Sequence, residues 1–473
     1  MQEDALAEEL DYIFNPRSIA VIGASTEPKK LGNRILNNLI NRKYTGKLFP
    51  INPRDREIMG FQAYSKVVEV PETIDVAVIV VPASAVLQAM EECVKKGVRG
   101  AVIITSGFAE TGVKGRELQE RMAEVAHKGG LRFVGPNCEG IFNASANVDM
   151  TFAPKSPKKG GISFISQSGA IGANTMFRWG AERGVGFNVF CSSGNEADLS
   201  SADYLQYVGQ DEDTRVVMMY VEGIKKGRLF FEVAKRTSQT KPIVLMKGGQ
   251  TEAGSRAVSS HTGVLSGSSV IFDTVCRQTG IVKVDDVDEL FDVSMTFETQ
   301  PLPKGSNVGI VTGAGGGMGV VAVDACIKRE LYVPVFSENT IAQLKASLPP
   351  YAPVNNPVDL TPPFDPARLV KCTEIVLQDE KIDSVISMGF GWRTDMVSVE
   401  LAAVEEFLGL KKYGKPIVMV SVASKCEFET LRKLEAEGIP VFLTPGKASR
   451  AIAALVQYQK FKSKQKGYSE TRL

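Results

Sequence analysis

The sequence predicts an α/β protein built from three doubly wound domains, each with a parallel sheet. Short uninterrupted runs of Val and Ile recur along the 473 residues, and each run leads through a turn into a helical segment. Such runs are typical of strands that are buried on both faces of a parallel sheet. Strands that alternate with helices indicate right-handed βαβ units and open sheets.

The predicted strands are residues 18–23, 76–82, 100–105, 161–166, 215–221, 242–246, 308–312 and 416–420. Two stretches rich in Pro, Lys and Gly, residues 153–161 and 300–306, interrupt this pattern and read as linkers. The predicted domains are therefore 1–150, 151–300 and 305–460.

The second and third domains resemble each other. Each opens with an apolar strand that enters a Gly-rich turn, and each later contains Lys-Pro-Ile-Val, at 241–244 and at 415–418. This favours two copies of one domain. The match is short, so the alternative stays open that similar sequences arose independently in two α/β domains.

Charge and hydropathy exclude several classes of protein. Lys plus Arg is 55 and Asp plus Glu is 54, so the chain has no excess of basic residues of the kind that is typical of a dedicated nucleic-acid-binding protein. The longest apolar run, residues 74–87, contains Asp75 and is shorter than the ~20 residues that span a bilayer. The acidic N-terminal segment is unlike a signal peptide, so we expect no membrane association and a cytoplasmic location.

Cysteine and histidine usage predicts no resident metal. The seven cysteines show no C-x-x-C spacing, which argues against a disulfide framework and a zinc site. Only two histidines occur, His127 and His261, so a multi-histidine metal site is impossible. His127 falls near the C-terminus of a polar helical segment, where we expect an ordinary surface histidine.

The first strand runs into Gly23-Ala24-Ser25 and then a helix, an arrangement whose free N–H groups suit a phosphate. The spacing is not G-x-G-x-x-G, so a simple βα turn remains the alternative. Asn52-Pro53-Arg54 follows a later apolar segment, where a ribose-binding acid would stand in an NAD-binding domain. An Arg favours a phosphate-rich nucleotide such as coenzyme A over NAD.

Two further turns repeat this geometry, one in each later domain. They are Ser166-Gln167-Ser168-Gly169 and Gly313-Ala314-Gly315-Gly316-Gly317. Small residues at a helix start expose backbone N–H groups to an anion, and two such turns could converge on one phosphate. The alternative for either turn is a tight connection that needs Gly for its backbone conformation.

Two side chains are candidates for chemistry. His261 lies among small residues, 248–267, which we predict to form an exposed, mobile loop; it could be a nucleophile or a proton shuttle. Glu222 ends a buried strand, where open α/β sheets place their sites, and could hydrogen-bond one imidazole nitrogen. A surface histidine and a helix-start acid are the respective alternatives. The sequence contains no P-loop and no G-x-S-x-G motif.

Taken in order, six motifs resemble the nucleoside-diphosphate-forming acyl-CoA synthetases, relatives of succinyl-CoA synthetase. The motifs are Gly23-Ala24-Ser25, Val81-Pro82-Ala83-Ser84, Gly135-Pro136-Asn137-Cys138, Ser166-Gln167-Ser168-Gly169, Val221-Glu222-Gly223 and Ser260-His261-Thr262-Gly263. The resemblance covers essentially the whole chain. One residue departs from this resemblance. Glu139 stands where the family usually has an apolar residue, and a carboxylate there could alter the acyl or thiol end of the pocket.

The resemblance implies a CoA-binding Rossmann-like domain followed by two flavodoxin-like ligase domains. His261 would be the phosphorylated histidine and Glu222 its supporting carboxylate, with the turns at 166–169 and 313–317 holding the phosphate. Coenzyme A would contact Gly23, Ala24, Ser25, Asn52, Pro53, Arg54, Pro82 and Asn137.

The implied reaction interconverts acyl-CoA, ADP and phosphate with acid, ATP and CoA, through an acyl phosphate and a phosphohistidine. The chain has no room for the ATP-grasp module that the family needs. ADP or ATP with Mg would therefore bind a partner β subunit, in an α2β2 heterotetramer. The alternatives are a CoA-binding regulatory or scaffold protein without catalysis, and a NAD-dependent oxidoreductase.

Overall fold

The structure, a computed structural model, describes residues 9–262, 269–313, 315–390, 397–421 and 429–470. The chain forms two compact units, Met1–Val287 and Asp288–Leu473. The first unit contains two of the predicted sheets and the second unit contains the third.

The first sheet is parallel, in the order β2-β1-β5-β6-β7, and a small hairpin, β3-β4, lies beside it. The bounds are β1 Ser18–Ile22, β2 Lys47–Ile51, β3 Glu57–Ile58, β4 Phe61–Gln62, β5 Val76–Ile79, β6 Gly100–Ile103 and β7 Arg132–Val134. The order reverses between β1 and β5, and open α/β sheets bind ligands at the carboxyl ends of strands at such a reversal.

The second sheet has the order β14-β13-β12-β10-β11-β8-β9 among the described residues. The bounds are β8 Ile141–Asn143, β9 Val148–Asp149, β10 Lys159–Ser166, β11 Phe187–Ser192, β12 Val216–Val221, β13 Ile243–Lys247 and β14 Val282–Val284. Strands β10 to β14 are parallel, and β8 pairs antiparallel to β11. β8 and β9, which precede the predicted boundary at residue 150, hydrogen-bond into the second sheet.

The third sheet is parallel, in the order β16-β15-β17-β18-β19. The bounds are β15 Val308–Thr312, β16 Val358–Asp359, β17 Ser384–Met388, β18 Ile417–Val420 and β19 Val441–Phe442. The predicted strand at 308–312 has the observed bounds, and the other seven predictions overlap a strand. The α/β fold class is confirmed.

Helices connect these strands. Those of the first unit are residues 9–14, Leu31–Asn41, Val67–Glu69, Ala83–Lys96, Ala109–Thr111, Val113–Lys128, the π-helix Ala170–Phe177, Arg178–Arg183, Ser201–Gln210, Gly227–Thr237, Glu252–Thr262 and Ser269–Thr279. Those of the second unit are Val287–Thr299, Gly316–Ile327, Glu338–Ser347, Pro366–Gln378, Val397–Leu408, Gly409–Tyr413, Glu429–Ala436 and Pro445–Glu470.

The core of the second sheet is aromatic. The ring of Phe177 lies 5.1–5.3 Å from the rings of Phe142, Phe187 and Phe190, and all four side chains are fully buried. Burying each such ring stabilises the fold by about 1.5–3 kcal/mol. The cluster therefore fixes the π-helix Ala170–Phe177, and with it the turn that precedes this helix.

Candidate active site

The turn after β1 is shaped by two close backbone approaches. Gly23 has a φ of +98°, and a Cβ atom on it would lie 2.5 Å from the carbonyl oxygen of Val80. A Cβ atom on Gly32 would lie 2.1 Å from the carbonyl oxygen of Gly23. The helix Leu31–Asn41 therefore packs directly on the turn, with no side chain between them. This geometry leaves the turn open to the close approach of a phosphate.

The other residues predicted to contact CoA follow strands of the same sheet. Asn52, after β2, donates through Nδ2 to the carbonyl oxygen of Ala24 at 2.9 Å and accepts the Arg54 N–H through Oδ1 at 2.8 Å. Pro82, after β5, is the N-cap of the helix Ala83–Lys96. Asn137, after β7, has a φ of +58°. The first sheet thus places these predicted residues at its carboxyl edge.

The turn after β10 leads directly into the π-helix Ala170–Phe177. Ser166 Oγ donates to the carbonyl oxygen of Ser168 at 2.6 Å, and the N–H of Gly172 donates to the same oxygen at 3.0 Å. These bonds fold the turn tightly around Gln167 and Ser168. The helix start lies at the carboxyl edge of the second sheet, as a phosphate-binding turn requires.

The side chain of Gln167 links this turn to Glu222. Its Oε1 accepts the main-chain N–H of Glu222 at 2.5 Å and that of Gly223 at 3.1 Å, and its Nε2 donates to the carbonyl oxygen of Gly223 at 2.7 Å. The two predicted site elements, on β10 and β12, are therefore held together by one amide. Gln167 was predicted to bind phosphate, and its sequence context gave no indication of this linking role.

A buried carboxylate that the sequence analysis missed supports Gln167. Glu196 Oε1 accepts from Gln167 Nε2 at 2.9 Å, from Ser193 Oγ at 2.8 Å and from the N–H of Ser201 at 3.1 Å. Burial raises the pKa of Glu196, against hydrogen bonds from these groups and the charge of Lys225, which lower it. The sequence did contain a signal for Glu196, because the polar run Ser193-Gly194-Asn195-Glu196 directly follows the buried strand β11.

Glu222 lies directly after β12 and is buried. The Tyr220 hydroxyl donates to Glu222 Oε1 at 3.2 Å. A Cβ atom on Gly248, after β13, would lie 2.7 Å from the Tyr220 hydroxyl oxygen. Neighbouring strands therefore fix the position of Glu222 at the carboxyl edge.

His261 lies in the helix Glu252–Thr262, so the prediction of a loop over 248–267 is wrong for this part. Local contacts explain the helix. Thr251 Oγ1 accepts the N–H of Gly254 at 3.1 Å, and Arg256 pairs with Glu252 one turn earlier at 2.9 Å. The helix contacts Ala109–Thr111 of the first sheet's domain.

The side chain of His261 and residues 263–268 lie outside the described residues. A contact between the imidazole and Glu222 therefore stays a prediction. His127 lies in the last turn of the helix Val113–Lys128, as expected; its ring is 55% exposed and its Nε2 lies 3.2 Å from Asp198 Oδ1.

The turn after β15 belongs to the second unit. Gly315 has a φ of +92° and is the N-cap of the helix Gly316–Ile327. A Cβ atom on Gly313 would lie 2.4 Å from the ring of Phe364, so this position is too tight for a side chain. Gly316 and Gly317 open the helix, and Ala314 lies outside the described residues. The predicted convergence of this turn with Ser166–Gly169 stays a prediction.

Neither a membrane span nor a metal cluster is found in the part of the chain that the structure describes. None of its helices is both long and apolar enough to cross a bilayer. No group of three or more His, Cys, Asp and Glu side chains in that part could hold a metal ion.

Comparison with known proteins assigns each region. Residues 17–144 match a CoA binding domain, residues 159–297 match a succinyl-CoA ligase like flavodoxin domain, and residues 308–464 match a Ligase-CoA domain. The chain is 42% identical over 458 residues to the ADP-forming acetate–CoA ligase II subunit alpha of Pyrococcus furiosus, covering 95% of this chain and 98% of that one.

The chain belongs to the ADP-forming acetate–CoA ligase family. It is also 38% identical to the ADP-forming acetate–CoA ligase I of Archaeoglobus fulgidus, covering 97% of this chain and 65% of that longer one. The structure of dinucleotide-forming acetyl-coenzyme A synthetase 1 from Ca. Korarchaeum cryptofilum, in complex with phosphate and ADP, superposes with a TM-score of 0.88 at 36% identity; the match covers 96% of this chain and 98% of that one.

Membership in this ligase family confirms the resemblance predicted from the six motifs. The expected arrangement of a CoA-binding domain and flavodoxin-like ligase domains is also confirmed. The protein is an acid–thiol ligase, and neither a non-catalytic CoA-binding protein nor a NAD-dependent oxidoreductase is supported.

Proposed function

We propose that this chain is the α subunit of an ADP-forming acyl-CoA ligase and carries the phosphoryl group on His261. Phosphate attacks the thioester carbon of the acyl-CoA and expels CoA thiolate, which gives an acyl phosphate. A neutral imidazole nitrogen of His261 then attacks the phosphorus and releases the carboxylate. ADP finally takes the phosphoryl group from phosphohistidine to form ATP, which regenerates the histidine.

The observation that carries this proposal is the bridge by Gln167 between the turn at Ser166–Gly169 and Glu222. It brings a helix start suited to a phosphate and a buried carboxylate to one edge of the second sheet. Backbone N–H groups at the turn would stabilise the charge on the transferring phosphoryl group, at about 2–4 kcal/mol per well-placed donor. Glu222 would orient the imidazole by hydrogen-bonding one of its nitrogens.

The nucleotide site belongs, in this proposal, to a partner subunit. The sequence has no P-loop. The relative that matches over 98% of its length is named a subunit alpha, whereas the Archaeoglobus fulgidus ligase contains a further third that this chain does not cover. We place ADP, ATP and Mg on an ATP-grasp β subunit and expect an α2β2 assembly.

CoA binding falls to the first sheet, where the turn at Gly23–Ser25 and the Asn52–Arg54 segment lie at the strand-order reversal. The six described cysteines are all buried free thiols, which suits a reducing compartment. We therefore propose a cytoplasmic enzyme.

The proposed function is tested by comparing the reactions of the isolated chain with those of the chain and its partner subunit together. The isolated chain, incubated with acetyl-CoA and ³²P-labelled phosphate, is expected to form an acid-labile, base-stable phosphoprotein while neither binding nor hydrolysing ATP. Net ATP formation is expected only after a separately purified ATP-grasp subunit and ADP are added. ATP synthesis by this chain alone would contradict the proposal, and so would the absence of any phosphoenzyme.

A further inference from the structure

Glu139 is buried beside the turn at Ser166–Gly169. Its side chain is 1% exposed. Its main-chain N–H donates to Ser192 Oγ at 2.9 Å, which anchors it at the end of β11. The residue thus belongs to the segment after β7 but reaches the carboxyl edge of the second sheet.

The contact with the turn is direct. A Cβ atom on Gly169 would lie 2.8 Å from the Cβ of Glu139 and 3.2 Å from its Oε2. The glycine is therefore what allows this carboxyl group to lie against the start of the helix Ala170–Phe177. A side chain at position 169 would force Glu139 or the turn to shift.

Neither carboxyl oxygen of Glu139 accepts a well-aligned hydrogen bond from the described residues, although the main-chain N–H groups of Ala173 and Asn174 lie near the carboxyl group. A buried carboxylate in that condition is costly, and the group avoids the cost by holding its proton. Burial raises the pKa of Glu139 to about 8, with a further rise from the charge of Asp149, while the nearby N–H groups of Ala173 and Asn174 lower it in part.

The ionisable groups around Glu139 leave its neutral form undisturbed. Asp149, on β9, is buried, and the charge of Arg42 opposes the rise of its pKa. Burial raises the pKa of Cys138 to about 12, so this thiol is uncharged at neutral pH. Arg178 is the first charged residue after the π-helix Ala170–Phe177. Its side chain is 69% exposed and pairs with Glu182.

We propose that neutral Glu139 donates a hydrogen bond to the tetrahedral oxyanion bound at the Ser166–Gly169 turn, and that ionised Glu139 repels this anion. The inference rests on the proposed function, because that function places the phosphate at this turn. An O–H donor beside the turn adds a bond to the anion's oxygens. Loss of the proton removes that donor and puts a like charge in a poorly solvated place.

Sulfate is the probe, because its charge stays constant over the pH range in which phosphate titrates. Its binding to the full chain is measured by calorimetry between about pH 7 and about pH 9.5, with saturating CoA present to occupy the first sheet. The parent is expected to bind at least about tenfold more weakly at the upper pH. Glu139→Gln keeps a donor and cannot ionise, so its affinity is expected to stay constant across the range.

The matched control is Glu182→Gln, which removes an exposed carboxylate from the neighbouring helix and should keep the parent's pH dependence. The proposal is overturned if the sulfate affinity of the parent does not change with pH, or if Glu139→Gln shows the same pH dependence of sulfate affinity as the parent. Sulfate binding involves no turnover, so this result is separate from the phosphoenzyme assay: failure to form phosphohistidine refutes the function, and a flat sulfate profile refutes only the role of Glu139.

Infrared spectroscopy of the parent keeps the proposal testable if Glu139→Gln does not fold. A protonated buried carboxyl group gives a separate C=O stretching band, which should disappear with a midpoint near pH 8 and shift when sulfate is added at pH 7. No such band at pH 7, or a band that sulfate leaves unchanged, contradicts the proposal.

Discussion

Gln167 Oε1 accepts the main-chain N–H of Glu222 at 2.5 Å, although 55 residues separate them in the sequence. Through this bond the turn after β10 fixes the backbone that carries Glu222. Glu196 in turn fixes the Gln167 amide. The candidate site is thus held by a chain of side chains rather than by strand pairing alone.

Gln167→Leu should lower turnover by about 10²-fold, because the N–H groups of Glu222 and Gly223 lose their acceptor and the carboxylate is no longer held in place. CoA affinity should stay unchanged, since the first sheet is not touched. Steady-state kinetics and CoA calorimetry check both parts. Gln88→Leu, on the exposed face of the helix Ala83–Lys96, is the control and should be fully active. Full activity in Gln167→Leu would remove the linking role.

Glu222→Gln should also lower turnover by about 10²-fold or more, because an amide orients an imidazole less well than a carboxylate. The variant should bind CoA normally. Glu232→Gln, which removes an exposed carboxylate paired with Arg228, serves as the control. Turnover within a few-fold of the parent would leave Glu222 as a helix-start acid without a role in transfer.

His261→Ala should abolish the base-stable, acid-labile phosphoenzyme while leaving CoA binding intact. The chain offers its own control, since His127 is the other histidine. His127→Ala should be phosphorylated like the parent, because that ring is exposed on the helix Val113–Lys128. Label that survives in His261→Ala would exclude His261 as the phosphoryl carrier.

Glu139→Gln should change how stability depends on pH. Below about pH 4.5 the carboxyl is protonated in both states, and between about pH 4.5 and about pH 8 only the unfolded chain ionises, which favours unfolding. At about 1.4 kcal/mol per pKa unit, the parent should lose about 5 kcal/mol relative to the variant over this range, with no further loss above it. Urea unfolding at several pH values measures the difference. Parallel pH profiles would contradict a buried neutral carboxyl.

Gly32→Ala should weaken CoA binding at least tenfold, because a methyl group there would lie 2.1 Å from the carbonyl oxygen of Gly23 and would push the helix off the turn. Calorimetry with CoA gives the affinity, and Tm reports any general loss of stability. Gly227→Ala is the matched change, at a helix start where a Cβ atom meets nothing within 4 Å. Equal affinities in the two variants would place CoA elsewhere.

Local signals in the sequence were enough for the strands and the turns that follow them. The run at 308–312 predicted β15 with its observed bounds, and the positions of Gly23, Glu222 and Ser166–Gly169 at the ends of strands predicted the edges on which they lie. These features depend on residues that are adjacent in the chain. The helix Glu252–Thr262 was missed because its small polar residues resemble a loop, and its stability comes from the Thr251 cap and the Glu252–Arg256 pair.

Contiguous residues were enough to predict the fold class, the ligase family and the order of the motifs, because strand periodicity and turn chemistry depend on residues that are close together in the chain. The folded structure was needed to show that Gln167 holds Glu222, that Glu196 holds Gln167, and that Glu139 lies against Gly169. It also assigned β8 and β9 to the second sheet. Each of these relationships joins residues on different strands or connections, and only the register and packing of the sheets bring such residues within hydrogen-bonding distance.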